Sequence, residues 1–460
     1  MKRALTYTVI AVALAGCVAV KPAPAPQVDL PPNWSHDSAL QGDKVTTDWF
    51  RGFGSQELDA LIAGAAQTNW DLQAADARIR QADARARAAG AALLPEVSAD
   101  ANGIFYAGHS NNGSANETDY AALLSASYEI DFWGKNRAGQ MSARALHEAS
   151  MADRAVVALT TLTGVARSYF QVVALREKVQ LAQDSLRNAN QILDLVQARR
   201  AANLSNPVEL AQQRALVAAA EIQAKQAEQQ ETEQEAALAI LVGNKPGALS
   251  VSAHQLSDFT VPRVTAGLPA DLLSRRPDVF SAEATLQAAH ADFLQARAAF
   301  YPSVTLTGQA GLQNPAVNAA VISLSGLGPT VNLGAAVVQS IFDGGRLRAA
   351  RDEARAKEKE MLAQYQGALL AALWDVEVAL SAIERLDQQE RAQKQSVTES
   401  ERALAGAEAR YRAGSGDFMA VLDSQRVILG AREQWSQYQL DRLQAAVGLC
   451  KALGGGWERK

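Results

Sequence analysis

Cysteine is nearly absent from this chain of 460 residues, which has two, Cys17 and Cys450. Two thiols cannot build a disulfide framework, and their placement, one near the start and one in the last helical run, argues against a bridge. Cys450 reads as a small packing residue. Histidine is scarce too. His36, His109, His147, His254 and His290 are scattered, with no H-x-x-x-H pair and no Cys cluster for a metal. A Gly-rich phosphate loop is missing as well. An enzyme reading therefore lacks a site, and no cofactor or metal is expected. Basic excess is also missing: 44 Lys and Arg stand against 49 Asp and Glu, a net charge of −5, which argues against a nucleic-acid partner. Aromatics make up 6% of the chain. The abundance of Ala, Gln, Glu and Arg points instead to extended helices or coiled coil.

Lys2 and Arg3 precede about ten apolar residues, Ala4–Ala13, the form of a secretory signal and too short for a spanning helix of roughly twenty residues. Leu14-Ala15-Gly16-Cys17 closes it and looks like a bacterial lipobox, which puts a lipid on Cys17; the plainer alternative is an ordinary cleavage site with an incidental Cys. Val18 rather than Asp follows, which by the lipoprotein sorting habit directs the chain to the outer membrane. Pro22, Pro24, Pro26, Pro31 and Pro32 then make a semi-rigid spacer.

The body of the chain is a tandem duplication at an offset of roughly 210 residues. Ala91-Ala92-Leu93-Leu94-Pro95-Glu96-Val97 matches Ala298-Ala299-Phe300-Tyr301-Pro302-Ser303-Val304. Trp133-Gly134-Lys135-Asn136-Arg137 resembles Gly344-Gly345-Arg346-Leu347-Arg348, and Arg200-Ala201-Ala202 resembles Arg412-Ala413-Gly414. Each copy begins with a helix, about 55–93 in the first and 278–300 in the second. Two strands follow, 96–106 with 120–132 and 303–312 with 330–342. They alternate with period 2. Val97, Ala99 and Ala101 oppose Ser98, Asp100 and Asn102; Leu124, Ala126, Tyr128 and Ile130 oppose Ser125, Ser127, Glu129 and Asp131. Val304, Leu306, Gly308, Ala310 and Leu312 oppose Ser303, Thr305, Thr307 and Gln309, and Val331, Leu333, Ala335, Val337 and Ile341 share the matching face of the fourth strand. Gly108–Asn116 reads as an exposed loop. Each copy ends in a helical hairpin, over 137–241 and 346–453, whose first helix of about 64 to 68 residues would run about 100 Å. The hairpins turn at Asn203–Pro207 and Gly414–Gly416.

Strands of this length fit the roughly ten residues needed to cross an outer membrane, with lipid on the apolar face and water on the other. A soluble β-sandwich is the alternative. Four strands cannot close on themselves, and an open edge in hydrocarbon leaves backbone groups unpaired. Two chains would give eight strands and a filled interior. Three give twelve and a lumen, so a conduit selects a trimer. The helical columns of three chains could likewise enclose a water-filled bore. A solid coiled-coil rod would want large aliphatics in strict heptads, whereas these seams carry Ala interrupted by Gln, Arg and Glu.

Four stretches carry a family resemblance: DWFRGFGSQELDALI (48–62), LPADLLSRRPDVFSAEATLQAAHADFLQARAAFYPSVTLTG (268–308), FDGGRLRAA (342–350) and RYRAGSGDFMAVLDSQR (410–426). With them the mature chain resembles the TolC-like outer membrane factors, in the NodT-type lipoprotein branch that serves resistance-nodulation-division (RND) efflux systems. The resemblance implies a fold that is mainly α with membrane β. Four transmembrane strands per chain join a homotrimeric 12-stranded barrel, continued by an α-helical barrel and a mixed α/β equatorial region. It implies an exit duct passing drugs or other small molecules, docked to a periplasmic membrane-fusion adaptor and an inner-membrane RND transporter, seated in outer membrane lipid and without catalysis. The domains expected are 1–16 signal, 17–54 lipidated extended segment, 55–243 first repeat, 244–276 equatorial linker, 277–456 second repeat and 457–460 tail.

The same resemblance places a periplasmic gate where the hairpins turn. Tyr411 and Asp423 match the gate positions of the second tip, with Asp417 and Phe418 able to narrow the opening, and Glu209 stands where the first tip usually has Asp. Where some members carry a further Asp, this chain has Ala420. Asn203, Leu204 and Ser205 with Gly414, Ser415 and Gly416 would form the adaptor-facing turns, Asn203 sitting where Gly is usual. Plain turn chemistry is the alternative for these six. For Glu209 and Asp423 it is a favourable place near a helix start. The rival functions are a type I protein-secretion outlet on the same architecture and a periplasmic adaptor or scaffold, which would carry one helical hairpin flanked by compact β-domains.

Overall fold

The computed structural model describes residues 30–36, 42–110, 113–203, 205–314 and 328–459. The signal segment, Cys17 and Leu204 lie outside the described residues. The chain folds as two compact units.

The first unit gathers Arg78–Met151 and Ser281–Gln366. Its centre is one antiparallel sheet of β1 (Glu96–Ser110), β2 (Gly113–Ile130), β3 (Ser303–Asn314) and β4 (Gly328–Val338), in the order β1-β2-β3-β4. The register tests the alternation read from the sequence. Val97 pairs with Ala126 and Ala99 with Leu124. Leu124 meets Ala310, Tyr128 meets Leu306, and Ile130 meets Val304. Leu306 meets Ala335, Gly308 meets Leu333, and Val304 meets Val337. All four apolar rows therefore share one face, because side chains alternate with period 2 and a slip of one residue would scatter them. That face is bare: Leu333 is 88% exposed, Val331 72% and Val97 66%. In water this much contiguous apolar surface would drive association.

Two expectations for the strands are corrected. Within the Gly/Asn/Ser stretch, 108–110 and 113–116 are strand rather than loop, since pairing continues through Gly108 with Ala115 to Ser110 with Gly113. A ladder is made of backbone groups, so a turn-like composition does not stop it while a partner strand remains. At the other end β4 stops at Val338, leaving Ile341 and Phe342 outside the strand, each 90% exposed. Val338 pairs with Ser303, the first residue of β3. Before it stands Pro302, which has no N–H to offer.

Below the sheet the duplication is visible in two carboxylates. Asp131 accepts from the Asn136 N–H at 3.0 Å and the Arg137 N–H at 2.9 Å. Asp343 accepts from Gly345 at 3.0 Å and Leu347 at 2.9 Å. The Leu347 N–H, with Gly345, holds the Asp343 carboxyl below its ordinary value. Each thus satisfies orphan donors at the start of a long helix. Trp133 has no counterpart in the second copy. Its ring stacks on Tyr301 at 4.7 Å and its indole N–H donates to Pro302 O at 2.8 Å.

Among the described residues seven longer helices precede or follow the strands in chain order: α1 (Gln56–Thr68), α2 (Trp70–Ala91), α3 (Lys135–Ala201), α4 (Pro207–Val242), α5 (Pro277–Ala298), α6 (Arg346–Arg412) and α7 (Phe418–Ala452). The single helix expected over 55–93 is divided at Asn69. Its amide oxygen accepts from Asp71 and Leu72 at 2.9 and 3.2 Å, starting α2, while its amide nitrogen donates to Leu241 O at 2.8 Å. A capping side chain with a tertiary partner outweighs the continuous apolar pattern around it.

The second unit comprises Val28–Ala77, Ala152–Phe280 and Gly367–Lys460. Phe53, Phe170 and Phe259 pack with ring centroids 5.1 Å apart in successive pairs, and Tyr169 joins Phe259 at 5.7 Å. The Tyr169 hydroxyl donates to Glu57 at 2.9 Å. Burial opposes ionisation of Glu57, but N–H donors from Ser252 and Ala253 and the Tyr169 hydroxyl hold its carboxyl below the ordinary range. Arg276, 8% exposed, grips Asp278 at 2.6 Å, Asp375 at 2.9 Å and Ala452 O at 3.1 Å. A buried guanidinium is tolerable when its donors are matched in this way.

Candidate functional site: the hairpin tips

Both hairpins turn within the second unit, and each turn is built from local chemistry. At the first, α3 ends at Ala201 and Asn203 takes a left-handed φ of 63°. Asn206 then caps α4, its amide oxygen accepting from the Glu209 N–H at 2.9 Å, with Pro207 at the first helical position. At the second, Gly414 takes φ 74° and Ser415 N–H returns to Arg410 O at 3.0 Å. A Cβ on Gly416 would stand 2.9 Å from the Arg410 carbonyl carbon and the Tyr411 nitrogen, so only glycine fits there without backbone movement. Asp417 caps α7, accepting from Met419 N–H at 3.1 Å.

The two turns are joined through Tyr411. Its ring is 3% exposed and packs on Phe418 at 5.3 Å, in a cluster with Ile192, Val196, Val421 and Leu422. The phenol donates to Glu209 Oε2 at 3.1 Å, and the Ser205 hydroxyl donates to the same oxygen at 2.8 Å. Arg199 lies with its guanidinium carbon 4.6 Å above the Tyr411 ring while one nitrogen donates to Tyr411 O at 3.1 Å. Burial, then the bond to Glu209 and its charge, push the Tyr411 phenol above its ordinary value, so it stays a donor at neutral pH. A hydrogen bond to a charged group contributes roughly 1.5–3 kcal/mol and a partly desolvated cation–π contact about 0.5–2 kcal/mol. Together they rival the apolar packing as the tie between the hairpins.

Of the sequence-predicted gate residues, the structure brings Tyr411, Glu209 and Phe418 together and adds Ser205 from the predicted tip. Asp417 is engaged as a helix cap, and Asp423 is exposed on α7 outside the cluster. Asn203, Gly414 and Ser415 are exposed at the turns and Gly416 is partly covered. Sequence reasoning gave no individual role to Arg199 or Asn206. For Asn206 the signal was present in Asn206-Pro207-Val208-Glu209, a cap followed by Pro at the first helical position and an acid in the first turn. For Arg199 the signal was weaker: a cation in the last turn of a long helix, where the macrodipole alone explains it. Among the described residues no group of His, Cys, Asp and Glu is arranged to hold a metal ion.

One antiparallel sheet with an exposed apolar face, open at both edges among the described residues, together with two helical hairpins from duplicated halves, defines the class of outer membrane channel subunits. The family described as Outer membrane efflux protein matches residues 61–244 and 268–455, and the chain belongs to it. A pyoverdine export outer membrane protein, OpmQ of Pseudomonas aeruginosa, is 42% identical over 456 residues, covering 97% of this chain and 95% of that protein. Among solved structures, the outer-membrane channel OprN superposes with a TM-score of 0.86 at 26% identity, over 95% of this chain and 99% of that one. The open state of the Neisseria gonorrhoeae MtrE outer membrane channel gives 0.85 at 28% identity, over 96% and 99%. The chain is thus an outer membrane channel protein of efflux, mainly α with a small antiparallel sheet, and its family and relatives are channel proteins.

Proposed function

We propose that the chain is one protomer of a homotrimeric exit duct in a tripartite efflux pump. It receives drugs or other small molecules from a periplasmic membrane-fusion adaptor and an inner-membrane RND transporter, and conducts them passively. The observation that carries this reading is the sheet, in which β1 and β4 are unpartnered edges among the described residues and the apolar face is exposed. An unpaired backbone group in hydrocarbon costs several kcal/mol, so edges as long as these must be joined. Three copies close a twelve-stranded wall with a backbone radius of about 12 Å at usual strand spacing and tilt. A second support comes from α6, where Leu370, Trp374 and Val378 form an exposed apolar stripe at four-residue spacing, suited to a neighbouring protomer.

In this reading the Tyr411–Glu209–Arg199 cluster is the latch of the periplasmic gate. Releasing it frees the α6–α7 hairpin from the α3–α4 hairpin. Phe418 backs the latch, Asp417 sets the start of α7, and Asp423 contributes charge to the mouth. Asn203, Leu204, Ser205, Gly414, Ser415 and Gly416 are the surface offered to the adaptor. A lipid on Cys17 tethers the N-terminus. Trp34, 5% exposed and donating to Gly267 O at 2.8 Å, fixes the far end of a tether that covalent geometry lets reach at most about 60 Å.

The test is fractionation and single-channel recording. Heat-modifiable trimers in outer-membrane extracts that form a pore in bilayers are expected, with Tyr411→Phe raising the open probability. Monomers that stay in solution once the lipid is removed would exclude the duct.

A further inference from the structure

The second unit holds a cavity of about 590 Å³ that neither the tips nor the strands use. It lies where α3, α6 and α7 meet the segment 254–257. Its size falls within the roughly 300–1,000 Å³ of small-molecule sites. The charges around it are already matched. Arg176 holds Glu231 at 2.9 Å and Glu235 at 2.6 Å. Glu177 accepts from Ser436 Oγ and from the Leu256 N–H, both at 2.6 Å. Arg432 holds Glu401 at 2.6 Å. What remains for a ligand is an apolar wall of Leu181, Val397 and Trp435 and a few neutral polar groups. Among the described residues the Gln439 amide has no hydrogen-bond partner, and the Trp435 indole N–H is buried without an acceptor. A buried donor left unmatched is costly, so a turn of the ring that brings it to an acceptor in the cavity is favourable. Trp435 and Gln439 stand four residues apart on α7 and so share one face of it.

The duplication supplies an independent observation. In the register that aligns Gln213-Arg214 with Gln425-Arg426, the residues of α4 matching Trp435, Ser436 and Gln439 are Gln223, Ala224 and Ala227. Ala224 and Ala227 are buried packing residues. The aromatic ring, the hydroxyl that holds Glu177 and the unmatched amide therefore belong to one copy alone, where helix packing by itself asks only for alanine.

We infer that this cavity is a binding site for a neutral saccharide of one or two rings, resting on the Trp435 indole and held through its hydroxyls by the Trp435 N–H and the Gln439 amide. A sugar ring has an apolar C–H face that suits an aromatic wall. Its hydroxyls donate and accept at once, so they match an indole N–H and both ends of a primary amide. An ionic ligand would have to break one of the existing pairs or bury a charge without a partner, and both are unfavourable. Every lining residue belongs to one chain, so the site needs neither a closed trimer nor a conducting pore.

The experiment is calorimetric titration of the purified full chain with N,N′-diacetylchitobiose and with maltotriose. The detergent is a polyoxyethylene one, because alkyl glycosides would compete. Expected is saturable binding of at least one of the two sugars with a Kd of about 1 mM or tighter. Trp435→Phe, which keeps the apolar wall, and Gln439→Ala should each weaken it about two- to tenfold, the worth of one neutral hydrogen bond. Trp435→Ala should weaken it at least about tenfold. If the Trp435 variants misfold, Gln439→Ala on the same face carries the test. Co-sedimentation with an insoluble glycan that Gln439→Ala weakens would name a polymer as the source of the sugar. Binding confined to the soluble sugars would name a free one, and either supports the site. No saturable binding up to about 10 mM overturns the inference, as does binding that Trp435→Phe and Gln439→Ala leave unchanged. Tighter binding of chitobiose with its free ammonium groups, or of digalacturonate, also overturns it.

Discussion

The two hairpin tips descend from one ancestor by duplication, yet they solve the same turn with different residues. The first uses Asn203 for the left-handed position and Asn206 with Pro207 to restart the helix. The second uses Gly414 for the left-handed position, Gly416 for a close backbone approach and Asp417 as cap. The carboxylates have parted as well. Glu209 is tied to Tyr411 and Ser205, whereas Asp423 points away from that cluster into the exposed surface of α7. The difference teaches that divergence gave one tip the acceptor and the other the donor. In the proposed gate neither hairpin carries the latch alone, and a change at either tip should release both.

The largest effect should come from Tyr411→Ala. It removes a buried ring together with the bond to Glu209 and the contact with Arg199, at a cost of about 3–5 kcal/mol. The tips should become sensitive to protease and the pore should leak in bilayers; an unchanged cleavage rate would mean the ring is not what joins them. Next, Gly416→Ala should cost about 2 kcal/mol, because its Cβ meets backbone rather than a movable side chain. Asn203→Gly at the opposite tip should stay within about 0.5 kcal/mol, since both residues accept a left-handed φ. Thermal dissociation of the trimer followed in parallel for the two variants checks that asymmetry. Tyr411→Phe removes the bond to Glu209 and Glu209→Gln takes away its charge, so in the proposed gate each should lose about 1–2 kcal/mol of latch strength and raise open probability, with little added loss in the double variant, because both act on one bond.

These contrasts also mark what the sequence could and could not disclose. Lipid on one side and water on the other impose a period of 2, so the faces of all four strands were legible from alternation alone. The zipped end of the β1–β2 hairpin was not, because a ladder makes no demand on side-chain type. Nor was the end of β4, where alternation runs on past the last residue of β3 able to pair. In the tips, the turns announced themselves through Asn, Pro and Gly, while Tyr411 and Glu209 were named through family resemblance. Arg199 was hidden because its partner is 212 residues away, and no local pattern encodes a contact across two hairpins.

A smaller effect concerns pH. The Tyr411 phenol sits above its ordinary value of 10.0 because of burial and Glu209, so the folded tip holds that proton more tightly than the unfolded chain does. Its contribution is complete below pH 10 and declines as pH rises from there through the raised value. Leak should therefore increase on the alkaline side above pH 10 in wild type and be flat there in Tyr411→Phe. Smallest of all is Asp423→Asn, which should leave tip stability within about 0.5 kcal/mol. A loss comparable with that of Glu209→Gln would show that the two tips are more alike than their geometry implies.

One chain leaves its four-stranded sheet unclosed. The most direct measurement is the native mass of the protein extracted from outer membrane into mild detergent. The account predicts three copies of the chain and no stable smaller species. A single chain, folded and intact with its four strands protected from hydrogen exchange, would contradict it.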